Sequence, residues 1–249
     1  MFEQRVTQLI ANCEMPIPEN LLESPTALAH PPIQRMSFKE RAYQELKALI
    51  QAGDLSPDST LSERKLAERL GMSKTPIRAA LENLETQGLV TVSAQKGIII
   101  RELSAREIAE LFDVRAAVEP FVVAQLARCS LTRSQRDELK VNLREQRLVA
   151  RSEDALAATK LDIAFHQVLA RLLENREMML WLERCFDKLH RSVIRVNRMA
   201  PGRLQKCYEE HDAVASAILS GHPDEAARLM REHLVFGRRF LLVGDTLPE

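Results

Sequence analysis

"LSERKLAERLGMSKTPIRAALENLETQGLV", residues 61–90, reads as two short amphipathic helices separated by Gly71-Met72-Ser73. Ser62 is placed to cap the first, and Leu66, Ala67 and Leu70 share its inner face. Gly71 supplies a left-handed stop. Ser73 is a natural cap for the second helix, which puts Lys74, Thr75 and Pro76 in its first turn. Proline is tolerated there because those amides have no intrahelical partner. Since Pro76 lacks an N–H, Ser73 is expected to cap through Thr75. Ile77, Ala80, Leu81 and Leu84 form the buried stripe of this helix, Lys74 and Arg78 lie one turn apart on its outer face, and Gly88 ends it.

Upstream, Tyr43, Leu46, Leu49 and Ile50 give one more helix with an apolar face. Downstream, "LVTVS" and "GIIIR" are joined through Ala94-Gln95-Lys96-Gly97, which predicts a β-hairpin with a basic tip. Three helices and a hairpin make a winged helix-turn-helix, in which the second helix of the pair enters the major groove. The restart at Ser73 would then aim a helix N-terminus, Lys74 and Arg78 at DNA, and the helix-end amides suit a phosphate. On pattern alone the alternative is a plain helical hairpin with a solvated charged face.

The rest of the chain narrows the setting. Its 249 residues suffice for one large domain or two modest ones, and 45% hydrophobic with 28% charged residues fits a soluble globular protein. Formal net charge is zero, so affinity for nucleic acid has to come from a local patch. No apolar run is long enough for a membrane span. Cys13, Cys129, Cys185 and Cys207 form neither a C-x-x-C pair nor a zinc-ribbon spacing, which reads as reduced thiols in a cytoplasmic protein. Three segments are expected. Residues 1–35 are a flexible extension in which Phe2, Val6, Leu9 and Ile10 allow a turn or two of helix before a run of prolines. Residues 36–101 are the winged helix-turn-helix, and residues 102–249 are an all-helical domain, so the fold class is mainly α.

The helical half opens with a capping box, Ser104 with Glu107. Arg115 and Glu119 lie one turn apart, either as an ion pair or as an arginine held ready for a carboxylate ligand. Asp162 and His166 are spaced i, i+4 and point one way. His211 shares a stripe with Val214, Ala215 and Ile218, and His233 shares one with Ala226, Leu229 and Met230. Three histidines and an aspartate thus face inward from three helices. They are either separate core histidines bonded to neighbours, as His190 on its own apolar stripe would be, or the N₃O ligands of a metal such as zinc, with room for a further ligand.

Residues 61–90 with "AQKGIII" resemble the DNA-binding domain of GntR-type bacterial regulators. An S-x-T-P-x-R-x-A-L core follows L-x-E-x-x-L-A and precedes G-L-V. The resemblance implies that Arg64, Ser73, Lys74, Thr75 and Arg78 meet operator DNA and that Lys96 and Gly97 sit at a wing tip in the minor groove. Lys74 stands where the family usually has arginine, and Asp58 where it usually has glycine. "FDVRAAVEPFVVAQLA", "DIAFHQVLA", "EEHDAVASAI" and "AARLMREHL" resemble the FCD effector domain of the FadR subfamily, in its six-helix VanR-like form. That implies a divalent metal, zinc with nickel or manganese as alternatives, on Asp162, His166, His211 and His233. It also implies a small carboxylate effector at Arg115 and Glu119. Gly221-His222 replaces the usual Gly-Asp, which makes His222 a cap before Pro223.

The expected protein is therefore a cytoplasmic, homodimeric transcription regulator, a repressor and not an enzyme. Its partners are double-stranded operator DNA and a small carboxylate, with no membrane. Two other readings remain at this point: a metal-dependent hydrolase joined to a DNA-binding domain, and a helical half that serves only for dimerisation.

Overall fold

In the computed structural model, residues 36–55, 61–93, 95–152, 154–200 and 202–243 are described. The N-terminal extension and the turn at Asp58 lie outside them.

Helix α1 (Phe38–Ala52) starts at Ser37, whose side chain accepts from the Glu40 amide. Helix α2 (Glu63–Leu70) starts at Ser62, whose side chain accepts from Lys65, and stops at Gly71 with φ 61°. Helix α3 (Lys74–Thr86) follows at once. Leu46, Ile77 and Leu84 are fully buried where these helices meet. Strands β1 (Val90–Ser93) and β2 (Gly97–Ile100) pair antiparallel with Val90 opposite Ile100. One correction concerns Ser73. It occupies the cap position of α3 but makes no side-chain cap hydrogen bond. The third residue of α3 is Pro76, so the amide that a capping hydroxyl most often meets is missing. The Ser73 hydroxyl stays exposed at the helix end.

The hairpin is stitched to the helices through Leu61, which bridges to Ile98, and the Ile98 amide donates to the Leu61 carbonyl at 3.0 Å. Gly97 makes this approach possible. Its φ is 75°, and a Cβ there would lie 2.5 Å from the Leu61 carbonyl oxygen. Gly97 is thus required by the joint between strand and helix pair, whatever the hairpin tip does on DNA.

Six helices follow among the described residues: α4 (Ala105–Arg128), α5 (Arg133–Ala150), α6 (Ala155–Leu172), α7 (Arg176–Met199), α8 (Gly202–Leu219) and α9 (Pro223–Val243). Capping boxes open α4 at Ser104 with Glu107 and α5 at Thr132 with Gln135. Helix α9 runs along α4, α7 packs on α6, and α5 packs on both α6 and α8. Phe165, Leu139, Leu169, Leu189 and Met230 fill the shared core. No described helix is long and apolar enough to cross a membrane.

The two halves meet through α1 and α7. Lys47 Nζ lies 2.6 Å from Asp187 Oδ2, and Gln51 Nε2 donates to Asp187 Oδ1 at 3.3 Å. His190, buried one turn further along α7, borders the same cavity as Gln51 of α1. Burial and the nearby charges of Lys160 and Lys47 pull its pKa down to about 4, so it is neutral at pH 7.

Gly97→Ala combines left-handed backbone with a backbone collision and should cost about 1–3 kcal/mol. Gly71→Ala, also left-handed but facing open space, should cost about 1–2 kcal/mol from backbone strain alone. Urea denaturation of both variants measures the difference, and Gly97→Ala should be the less stable.

Candidate functional site: a buried histidine–aspartate centre

Each of the three inward histidines has one ring nitrogen already engaged, and those bonds assign the other. Arg115 Nη2 lies 3.2 Å from His166 Nε2. A guanidinium can only donate, so Nε2 of His166 carries the lone pair and Nδ1 the proton. That Nδ1 sits 2.5 Å from Glu119 Oε2. His211 is set from further away. The Leu161 carbonyl accepts from Asn142 Nδ2 at 3.2 Å, Asn142 Oδ1 accepts from Gln146 Nε2 at 2.7 Å, and Gln146 Oε1 is left 2.8 Å from His211 Nδ1. An amide oxygen only accepts, so Nδ1 of His211 is protonated and Nε2 is not. His233 Nδ1 meets Glu210 Oε2 at 2.8 Å, and Arg203 Nη2 holds the same oxygen at 2.7 Å.

Three Nε2 lone pairs therefore turn toward one point. The Nε2 atoms of His211 and His233 are 3.3 Å apart, and His211 Nε2 is 3.6 Å from Asp162 Oδ1. One ligand atom from each of Asp162, His166, His211 and His233 lies within 4.8 Å of the others. Two nitrogens bound to one tetrahedral zinc at 2.0–2.1 Å stand about 3.3–3.4 Å apart. Two lone pairs at that distance repel unless a proton or a cation lies between them. Burial, and the neighbouring histidines and arginines, hold the pKa of His211 well below its usual value. Burial also lowers that of His233, although Glu210 opposes the shift. The arrangement thus favours a cation over a proton, and the N₃O donor set fits a borderline divalent ion.

Arg115 and Glu119 are buried on α4 and pair at 2.6 Å. Burial alone would raise the Glu119 carboxyl; Arg115 and His166 overcome it and hold the pKa at about 2. Glu119 Oε1 accepts from Arg115 and Oε2 lies within ion-pair distance of His166, so Glu119 orients those two side chains. Arg115 borders a cavity of about 70 Å³ along with Asp162, Cys207 and His233, while Phe112, Val193 and Phe240 make its walls apolar. Cys207 Sγ lies 3.2 Å from Asp162 Oδ1, and the pKa of this thiol is raised by burial and by that carboxylate. His190 is remote from this group, on the α1 side of α7, and His222 is exposed before α9.

On the other half, Ser73, Lys74, Thr75, Arg78, Arg64 and Lys96 are all exposed. Arg78 is gripped by Glu63 through two bonds, Nε to Oε1 at 3.0 Å and Nη2 to Oε2 at 2.8 Å, while Arg64 pairs with Glu68 at 3.1 Å. Lys74 has no ion-pair partner among the described residues. Arg78 would therefore have to exchange Glu63 for DNA, whereas Lys74 is free to approach it directly.

Nothing in the sequence singles out Gln146, Arg203 or Asn142 as site residues. A signal for two of them exists, because Asn142 and Gln146 lie i, i+4 on the apolar stripe of α5 with Leu139 and Leu143. Glu210 stands out in the sequence only as a possible general base, with Glu119, in the hydrolase reading, and not as a partner of His233.

Comparison with known proteins agrees with this geometry at the level of family. The bacterial regulatory proteins of the gntR family match residues 38–100, and the FCD domain matches residues 110–236. The chain belongs to the GntR family, with an FCD domain. It is 29% identical to the HTH-type transcriptional repressor GlaR of Escherichia coli (strain K12) over 209 residues, covering 78% of this chain and 90% of that protein. It is 28% identical to the gluconate operon transcriptional repressor of Bacillus licheniformis over 182 residues, covering 73% of each. The solved structure of E. coli McbR/YncC superposes with a TM-score of 0.73 at 21% identity, covering 82% of this chain and 97% of that one, which shows the shared fold. A GntR-family chain of this kind is a DNA-binding transcription regulator and not an enzyme, which sets the hydrolase reading aside.

Gln146 touches no ligand atom of the proposed cation, yet it sets the tautomer of His211. Gln146→Leu should weaken metal affinity by about 10–100-fold. Chelator competition on the purified variant measures this, and unchanged affinity would show that His211 does not depend on that bond.

Proposed function

We propose that this GntR-family regulator is a cytoplasmic repressor that binds a two-fold operator as a homodimer and is released by a small carboxylate bound beside a divalent metal, zinc in the first instance. The metal would be held by Asp162, His166, His211 and His233. The observation that carries the reading is the set of three Nε2 lone pairs converging with Asp162 in a buried space. A bound divalent cation supplies Lewis-acid charge to which a carboxylate oxygen can be attracted. A helical half that only dimerises has no use for three imidazoles whose unprotonated nitrogens face one another, since burying those polar groups is costly and hydrogen bonding to neighbours needs only their outer nitrogens.

The chain's own residues then set the ligand. Arg115 Nη2 is engaged by His166 Nε2, the same lone pair that would face a cation. Giving up that bond frees the Arg115 N–H for a carboxylate entering from the cavity. With Arg115, Arg203, Glu119, Glu210 and Asp162 charged and the cation divalent, one positive charge is left over. A monoanion balances it, and unbalanced buried charge is costly. A cavity of about 70 Å³ has room for roughly five waters, hence for a ligand of few atoms. Its largely apolar wall favours a short alkyl or hydroxyalkyl acid over a polyhydroxylated one.

A route to the DNA-binding half starts at Phe186 on α7. Its ring stacks on His166 with centroids 5.2 Å apart, and the Arg115 guanidinium lies 4.6 Å from its centre. The next residue, Asp187, holds Lys47 and Gln51 of α1. Moving Arg115 therefore changes what Phe186 packs against, and Phe186 is covalently next to the ion pair that seats α1. Repression as the direction of control rests on the repressor relatives. The operator contacts assigned to Arg64, Ser73, Lys74, Thr75, Arg78 and Lys96 rest on their common exposure at the front of α3, on α2 and at the hairpin turn. Dimerisation is supported by Val114 and Phe121, exposed apolar residues seven apart on α4.

On DNA, Lys74→Ala and Arg78→Ala should each weaken operator binding in a filter or anisotropy titration. If Arg78 reads a base, its loss costs about 1–3 kcal/mol. Unchanged affinity in both variants would remove α3 from the interface.

On signalling, Arg115→Ala should leave metal content and operator binding near wild type and weaken effector binding by about 10–100-fold. Arg115→Lys should recover only part of it, because an ammonium cannot make the bidentate pair. Titrating short organic acids against both variants and wild type, read by thermal shift and by operator release, tests this. Equal effector affinity in wild type and Arg115→Ala would take Arg115 out of the ligand site.

A further inference from the structure

A second cavity, of about 420 Å³, lies between the two halves, far larger than the one beside Arg115. Its rim is made by the end of α1, by the link after β2, and by α7. Among the described residues, five cationic side chains line it, Arg101, Lys188, Arg191, Arg195 and Arg198, and only one carboxylate, Glu102. In a chain of zero net charge this is a strong local excess.

Four of those cations follow one another on α7 at i, i+3, i+7 and i+10, which places them in a single row. Like charges at such spacings destabilise a helix. Little among the described residues offsets this. Glu102 stands 3.7 Å from Arg191 Nη2 and 3.8 Å from Arg195 Nη1, both beyond hydrogen-bond length. Arg101 is answered by Glu107 at 2.7 Å. Lys188 and Arg198 have no ion-pair partner among the described residues. Arg191 is the most telling. Its side chain is 22% exposed, and its Nη1 is fully buried without any hydrogen-bond partner. A guanidinium nitrogen left in that state costs free energy unless an acceptor reaches it.

From this row and the orphaned Arg191 nitrogen we propose that the interdomain cavity is a second anion site, which takes a phosphomonoester of a small metabolite. A phosphate offers several strong acceptors on a compact dianion, which suits neighbouring guanidiniums. The size of the cavity falls in the range of small-molecule pockets, and Leu103, Ile194 and Met199 provide an apolar wall for the organic part. The backbone of the operator is the less suitable source of that phosphate. Arg101 follows β2 at the end opposite the hairpin turn, about 13 Å from Gly97 at strand rise, so the cavity faces away from the tip. The site joins Arg101 in the link between the halves to α7, so its occupant would tie down the segment on which their relative placement turns.

The test uses the full-length protein with glycerol 3-phosphate as the probe, compared with sodium chloride at equal ionic strength, by calorimetric titration and thermal unfolding. Saturable binding and a raised Tm are expected with the phosphate and not with chloride. Arg191→Gln and the exposed Arg195→Gln should each weaken binding by about tenfold, while Arg115→Ala leaves it unchanged. Should Arg191→Gln fail to fold, Arg195→Gln decides alone. Three results would overturn the proposal. One is a response no greater than that to chloride. Another is loss of binding in Arg115→Ala with none in Arg195→Gln, which would put the anion in the other cavity. The third is a shallower salt dependence of operator binding in Arg195→Gln with no phosphate response, which would assign the row to the DNA backbone.

Discussion

A backbone carbonyl cannot donate a hydrogen bond, and much of the buried centre depends on that. The Leu161 carbonyl orients Asn142, Asn142 orients Gln146, and Gln146 fixes the proton of His211 on Nδ1. The guanidinium of Arg115, which cannot accept, plays the same part for His166. Polar groups with only one possible role thus decide the state of groups with two. The outcome is three lone pairs aimed inward among Phe165, Phe186 and apolar helix faces. Such a network is costly in a core unless every member is satisfied. Here the outer nitrogens of His211 and His233 are hydrogen-bonded and that of His166 faces Glu119, while among the described residues the inner nitrogens meet, at hydrogen-bond distance, only Arg115, Cys207 and one another.

The same side chains explain why one helix matters to both halves. Helix α7 gives Phe186 to the centre, Asp187 and His190 to α1, and Val193 and Val196 to the smaller cavity. These residues fall on successive positions of one rigid rod. A small rotation or slide of α7 changes all of these contacts together, because packed interfaces shift between discrete arrangements and do not deform smoothly. The link after β2 is short, and Arg101 bonds Glu107 in the first turn of α4, so the second end of the winged domain is also tied to the helical one.

The elements were largely legible in the sequence because their punctuation is local. Ser37, Ser62, Ser104 and Thr132 cap through their own following amides, and Gly71 and Gly88 stop helices by left-handed backbone. The inward set of Asp162, His166, His211 and His233 could be read from helical period alone, since each shares a stripe with core residues. Ser73 misled although the missing Pro76 amide was allowed for, because its hydroxyl does not take up the Thr75 amide either. Glu119 shows another limit. Its spacing from Arg115 was evident, but its bond to His166 crosses 47 positions of sequence. The roles of Gln146 and Glu210 rest on such crossings, to His211 and His233, and periodicity carries no information about which helices become neighbours.

The charge row on α7 shows the same limit from the opposite side. Lys188, Arg191, Arg195 and Arg198 are plain in the sequence, and on an isolated helix they would be an ordinary solvated face. Their meaning comes from what stands opposite. Had α1 and the link presented several carboxylates, the row would be a set of domain-joining ion pairs like Lys47 with Asp187. Among the described residues, Glu102 alone faces it from the cavity wall, at distances too long for hydrogen bonds. The seam between the halves is therefore closed by charge pairing at one end, around Asp187, and left electropositive at the other. A joint built this way is stiff where it is paired and open to an anion where it is not.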